Sequence, residues 1–251
     1  MRSRVSIGCL AILLLLLTPS APAQERAWDW VQRLKAARLK NIPDDLSCVL
    51  RVSFLPGEDH DGLQESHPIP AMQVLWKKPN FLKMAFVEKD PRGVSYFETR
   101  IEPFFHRLKA LRSTKDIEVN LFDIFFAVLE GDMNAKALGM EKIGDREAAL
   151  VHFPSVFAPL PMGAVGNGMK LWIDKDEWLP LQGRFFTQQG ILTFTLTYAG
   201  QKDKAGATYQ LPVKIILFPD LTEERRSAAF PITITISDYN INTGLADADF
   251  E

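Results

Sequence analysis

The chain has 251 residues, 29 of them basic and 31 acidic, for a formal charge of −2. So mild an imbalance excludes the dense basic surface that marks nucleic-acid-binding proteins. A chain of this length suffices for one sizeable domain or two small ones, and no Gly/Ser linker or charge block divides it.

At the N-terminus, Arg2 and Arg4 precede the apolar run Cys9 to Leu17, and small residues follow up to Ala21-Pro22-Ala23. This is the pattern of a secretory signal peptide cleaved after Ala23. The run breaks at Thr18-Pro19, well short of the roughly 20 apolar residues that a membrane-spanning helix needs. Gly8-Cys9 stands at the start of the apolar run and not after it, which is the wrong order for a lipidation site. Removing residues 1–23 takes away Arg2, Arg4 and no acid, leaving 27 basic against 31 acidic side chains and a charge of −4. Of the two cysteines Cys48 alone remains, so the exported chain has no internal disulfide and its stability must come from a core.

Beyond the cleavage site, Ala27, Trp30, Val31, Leu34 and Ala37 repeat at helical spacing among polar residues. The spacing predicts an amphipathic helix ending near Asn41-Ile42-Pro43. From Ser47 the period shifts toward two, and a first strand is predicted over Cys48 to Phe54, followed by a polar loop from Pro56 to Pro70. Met72 to Trp76 and Phe81 to Val87 form a predicted hairpin across Lys77-Lys78-Pro79-Asn80, where Pro and Asn supply the turn. A further strand is predicted near Gly93 to Arg100.

Asn120 to Leu129 reads as a second helix, with Asn120 as N-cap and Gly131 as stop. Its apolar residues, Phe122, Phe125 and Phe126 among them, occupy nearly the whole circumference and require burial on several sides. The C-terminal half is mostly strand: near Ala148 to Phe153, Met169 to Ile173, Leu181 to Thr187, Ile191 to Ala199, Val213 to Phe218 and Ile232 to Ser237. Leu192, Phe194, Leu196 and Tyr198 alternate with threonines, and Ile232, Ile234 and Ile236 alternate with Thr233, Thr235 and Ser237. Such strands have one wet and one apolar face. The expected class is α+β, a curved antiparallel sheet of about eight or nine strands with helices covering its concave apolar face.

No motif for catalysis emerges: no Gly-x-Ser-x-Gly, no His-Glu-x-x-His, no phosphate-binding glycine loop and no Cys-x-x-Cys. Glu58, Asp59, His60, Asp61 and His67 cluster in the polar loop, whose composition suits solvation as well as it suits a metal. Asp174-Lys175-Asp176-Glu177 lacks the glycine and downstream glutamate of a calcium loop and reads as a hairpin turn. Cys48, inside a strand, reads as a small buried residue and not as a nucleophile. The chain is expected to be no enzyme and to use neither cofactor nor metal.

Leu75-Trp76-Lys77-Lys78-Pro79-Asn80-Phe81-Leu82-Lys83 resembles the second-strand hairpin of the LolA-like outer-membrane lipoprotein carriers. Three later pieces resemble the wider lipoprotein-sorting superfamily: Gly144-Asp145-Arg146-Glu147 leading into a strand, Leu171-Trp172-Ile173-Asp174-Lys175 before Leu179-Pro180-Leu181, and Asp238-Tyr239-Asn240-Ile241-Asn242 running on to Gly244-Leu245 and Phe250. The ordered set spans nearly all of residues 24–251 and implies a single domain, an incomplete β-barrel closed by helices over a cavity. It also implies a periplasmic location, an acylated lipoprotein or lipid as cargo, an inner-membrane transporter or other membrane protein as docking partner, and a monomer. The carrier branch implies an arginine that holds a helical lid shut. Here that position is Lys78, which lacks the planar fork of arginine. The chain is longer than the typical carrier, with additions expected at Pro56 to Pro70 and Phe157 to Gly168.

The functional expectation is a carrier for an acyl chain or lipid anchor, with a lipid- or lipoprotein-sensing regulator acting through a membrane partner as the alternative. Candidate cavity residues, chosen from the strand faces and the second helix, are Trp76, Leu82, Met84, Phe86, Phe122, Phe125, Phe126, Leu192, Phe194, Leu196, Tyr198, Ile232, Ile234 and Ile236. Lys78 is the candidate for lid control. Each apolar side chain in this set fits a packed core as well as it fits a cavity wall.

Overall fold

A computed structural model describes residues 21–54, 71–78, 81–87, 134–159, 165–187, 190–221 and 231–250. The predicted strand at Gly93 to Arg100, the helix at Asn120 to Leu129 with Phe122, Phe125 and Phe126, and the acid and imidazole cluster of the Pro56 to Pro70 loop lie outside these residues.

The first element, α1, runs from Ala21 to Lys40 and so begins ahead of the predicted cleavage point. Ala27, Val31 and Leu34 form its buried stripe, as the spacing predicts, while Trp28 and Leu39 face outward. An exposed pair at i,i+4 joins Asp29 to Arg33 at 3.0 Å. The helix stops where expected, because the Asn41 side chain takes over its last carbonyls: Asn41 Nδ2 donates to Ala37 O at 2.8 Å, and Asn41 Oδ1 accepts from Gln210 N at 2.7 Å. Pro43 cannot continue the helix.

Among the described residues ten strands follow: β1 (Asp45–Phe54), β2 (Met72–Lys77), β3 (Phe81–Phe86), β4 (Lys136–Ile143), β5 (Arg146–Pro159), β6 (Val165–Asp174), β7 (Pro180–Thr187), β8 (Gly190–Lys202), β9 (Thr208–Leu221) and β10 (Ile232–Ile241). They make one antiparallel sheet in the order β3-β2-β1-β10-β9-β8-β7-β6-β5-β4. From β4 to β10 the chain meanders, and β10 then pairs with β1 and brings the first hairpin into the same sheet. Among the described residues the sheet is not closed, and β3 and β4 are its edges.

Strand β4 departs from the sequence reading, which has no element there. The stretch from Phe157 to Gly168, expected as an addition, is in its described part an extension of the β5–β6 ladder, with Phe157 opposite Asn167 and Pro159 opposite Val165. The Asp174 to Glu177 stretch is a hairpin turn, as read. The buried Asp174 carboxylate accepts from Asp176 N at 2.9 Å and Glu177 N at 2.7 Å, and Arg146 pairs with it at 2.8 Å.

A bulge in β10 decides which face carries the core. Ser47 opposes Asn240 and Val49 opposes Ser237, so Cys48 faces two residues of β10. Asp238 absorbs the extra residue at φ 56°, a left-handed conformation that Asp tolerates better than most residues. Ile236 and Ile241 are five positions apart, a spacing that regular pleating would send to opposite faces. After the bulge both are buried.

Candidate functional site

The register carries one apolar face across most of the sheet. Directly opposed residues share a face, and the row Leu82, Trp76, Leu46 crosses β3, β2 and β1. The rows Met84, Val74, Cys48 and Phe86, Met72, Leu50 run beside it. On the far side of β1, Ile234 meets Ile215 and Ile215 meets Leu196; Ile232 meets Leu217 and Leu217 meets Phe194. Leu192 opposes Phe185, which opposes Met169, which opposes Phe153.

All the described candidates fall in this one cluster. Trp76, Leu192, Phe194, Leu196 and Ile236 are buried in it, and Leu82, Met84, Phe86, Tyr198, Ile232 and Ile234 are half-buried against it, together with Ala27, Val31 and Leu34 of α1. The sequence reading missed half of the face. Leu46, Leu50, Val52, Val151, Phe153, Met169, Leu171, Phe185, Ile215 and Leu217 belong to the same cluster. The alternation of Leu46, Cys48, Leu50 and Val52 was a usable signal; for the short β5 and β6 runs, which face the register settled.

Two local features shape the face. A Cβ added at Gly183 would stand 2.1 Å from the Phe194 ring, so the absence of a side chain there lets the ring approach the β7 backbone closely. Phe185 packs beside it, its ring centroid 5.6 Å from that of Phe194 and the two planes tilted by 38°. The second is Trp76, 1% exposed, whose indole Nε1 has no hydrogen-bond partner among the described residues. The opposite face treats its tryptophan differently. Trp172 lies in a small second cluster with Ala148, Leu150 and Leu181, donates from Nε1 to Glu141 Oε2 at 2.8 Å and is covered by the Arg184 guanidinium at 5.1 Å.

Chemistry of the reactive kind is muted. Burial pushes the Cys48 thiol up to about 12, which keeps it protonated and fits its reading as a packing residue. Burial likewise raises Tyr239, whose hydroxyl donates to Pro212 O at 2.5 Å.

A polar rim closes one end of the sheet. Lys78 Nζ, the predicted lid-control position, donates to Asp44 Oδ1 at 3.0 Å and to Ile42 O at 3.5 Å, fastening the α1–β1 connection to the end of β2. Lys77 Nζ reaches Asp247 Oδ1 at 2.6 Å. The buried Asp45 accepts from Thr243 N at 2.8 Å, Thr243 Oγ1 at 3.1 Å and Gly244 N at 2.9 Å. Beside it Asn242 donates to Asp203 at 3.1 Å and to Tyr209 at 2.8 Å. That amide holds the Asp203 carboxyl below its usual range.

A cleft of about 600 Å³ opens where α1 meets the β6–β7 turn and the start of β9, lined by Arg33, Lys40, Asn41, Asp176, Glu177 and Trp178 among others. Arg33 stands 5.0 Å over the Trp178 ring. Its mixed charges suit neither an apolar ligand nor an ion of one sign. No helix among the described residues is long and apolar enough to cross a membrane.

No protein-family model matches the sequence, and no curated protein matches it. Solved structures do. A DUF1329 family protein from Desulfovibrio piger aligns over 90% of this chain and 97% of its own, at a TM-score of 0.55 and 11% identity. A putative outer membrane lipoprotein-sorting protein domain from Vibrio parahaemolyticus aligns over 91% and 97%, at a TM-score of 0.51 and 12% identity. A LolA superfamily protein from Nitrosomonas europaea aligns over 90% and 97%, at a TM-score of 0.47 and 14% identity. At such identities the first two likenesses show the fold alone, and it is the kind of fold that the resemblance of the sequence implied.

Proposed function

We propose that this chain is an exported, periplasmic carrier that takes an acyl chain or a lipoprotein's lipid anchor into an apolar cavity on the inner face of its sheet and moves it between membranes. The observation that carries the reading is the extent of the apolar face relative to α1. Ten strands at ~4.8 Å spacing are ~43 Å wide and, at ten residues, ~33 Å tall. A helix of 20 residues is ~30 Å long and ~10 Å across. By area α1 spans about a fifth of such a face.

The physical need for the cavity follows from the cargo. Each methylene moved out of water is worth ~0.8 kcal/mol, so an acyl chain of about sixteen represents on the order of 10 kcal/mol. A protein ferrying it must enclose it. In this reading α1 and further apolar segments cover the concave face, Lys78 fastens α1 through Asp44 and Ile42, and the half-buried Leu82, Met84, Phe86, Ile232 and Ile234 are the part of the wall that exchanges protein contacts for lipid. The signal-peptide pattern supports export. Cleavage after Ala23 would leave the buried stripe of α1, from Ala27 to Leu34, intact. The cargo would arrive from an inner-membrane transporter or another membrane protein.

Native mass spectrometry with lipid extraction, on protein purified from the periplasm of a double-membraned host, tests the proposal. A co-purifying acylated peptide or phospholipid is the expected result. An apo mass together with no uptake of a fluorescent acyl probe would mean that the apolar face is ordinary core and would overturn it. Lipid bound together with stoichiometric capture of a membrane protein, and no transfer to acceptor vesicles, would replace carriage by sensing.

A further inference from the structure

The sheet gives its two inward and outward tryptophans unequal treatment, and the difference points to the polar end of the ligand. Trp172 on the outer face has its indole N–H satisfied by Glu141 at 2.8 Å. Trp76 on the inner face is 1% exposed and its Nε1 has no acceptor among the described residues. Its cross-strand neighbours on that face are Leu46 on β1 and Leu82 on β3, neither of which has a side chain able to accept. Packing alone is served as well by phenylalanine, which brings no buried donor. A buried donor without an acceptor is unfavourable, and an acceptor supplied later recovers that loss.

We infer that Trp76 is the polar anchor of the cavity, its indole N–H donating to the carbonyl oxygen of an acyl ester or amide. This rests on the lipid-binding reading above and names the chemical class within it: acyl compounds that carry a carbonyl at the head of the chain, not bare hydrocarbons or alkyl ethers. The register also gives the ligand a direction. Trp76 is followed by Lys77 and Lys78 at the polar rim, whose ammonium groups bond Asp247 and Asp44. In the other direction the face continues through Val74 and Cys48 to Met72, Leu50 and Phe86. The carbonyl end lies toward the lysines and the tail runs along β1–β3 toward Phe86.

The test compares monopalmitoylglycerol with 1-O-hexadecylglycerol, which share chain length and head and differ at the carbonyl, by competition against a fluorescent acyl probe. The full chain should bind the ester about tenfold more tightly than the ether, the usual worth of one buried hydrogen bond. Trp76→Phe should bind the ether as the unaltered chain does and lose the preference. In the unaltered chain, the Trp76 indole N–H resonance should move downfield on adding the ester and stay in place with the ether. That second readout decides the matter even if Trp76→Phe fails to fold. Equal binding of ester and ether with an unmoved indole resonance overturns the anchor and leaves the carrier reading standing. Binding of neither compound overturns the carrier reading itself.

Discussion

Position 183 shows how far one missing side chain reaches. Gly183 on β7 lies directly opposite Phe194 on β8, and the ring of Phe194 occupies the volume where a Cβ would stand. Phe194 is 1% exposed and packed against the tilted ring of Phe185, so the ring has little free volume into which to retreat. Gly183→Ala is expected to destabilise the fold by about 1–3 kcal/mol through overpacking, read as a lowered urea midpoint at unchanged slope. Adding Phe194→Leu removes the obstructing ring. The double variant should then lose clearly less than the sum of the two single losses. Strict additivity would show that the ring does not depend on the bare backbone beneath it.

Among the elements, those with clean period-two alternation were legible from sequence and β4 was not, for a definite reason. In β8 and β10 the apolar residues point inward and the threonines outward, so pleat and burial agree. In β4 the bulge between Ala137 and Gly139 breaks the period, Gly139 sits at φ 131°, and Leu138 and Met140 are about half exposed. An edge strand pairs on one side alone and tolerates such a pattern. The candidate site was legible in part for a related reason. Alternation marks which residues of a strand share a face, but which strands contribute to one face depends on the β1–β10 pairing and its bulge, which no local pattern announces. The half-buried residues of β10 offer a test of face without destroying the core. Ile234→Asp places a charge on the inner face and should weaken acyl-probe binding by about tenfold or more. Thr235→Asp, one residue on and exposed, should change it by less than about twofold, with both variants keeping the strand signature in circular dichroism. Comparable losses from the two would contradict a one-faced sheet.

At the scale of the whole molecule, the joint between β1 and β10 holds the architecture together, because it unites the first hairpin with the meander from β4 onward. Its partners lie nearly the whole described chain apart, Leu46 opposite Ile241 and Phe54 opposite Ile232. Pairings this distant carry a large loop-closure cost and form slowly. Asp45 supplies a device that fixes the register there. It is 6% exposed and its carboxylate accepts three hydrogen bonds from Thr243 and Gly244, while its backbone carbonyl accepts from Asn242 N at 2.9 Å. The tail beyond then crosses to the first hairpin, where Phe250 packs on Phe81 at 5.3 Å and Asp247 meets Lys77. Asp45→Ala removes the shared acceptor of the part-buried Thr243 and Gly244 N–H groups, and a loss of about 1–3 kcal/mol is expected. Hydrogen exchange locates it: amides of β1 and β10 should exchange faster by a larger factor than those of β5 to β8, since the meander retains its own local ladders. Uniform acceleration across the sheet would instead mean that seam and meander unfold as one unit, and that Asp45 stabilises the whole without holding the joint in particular.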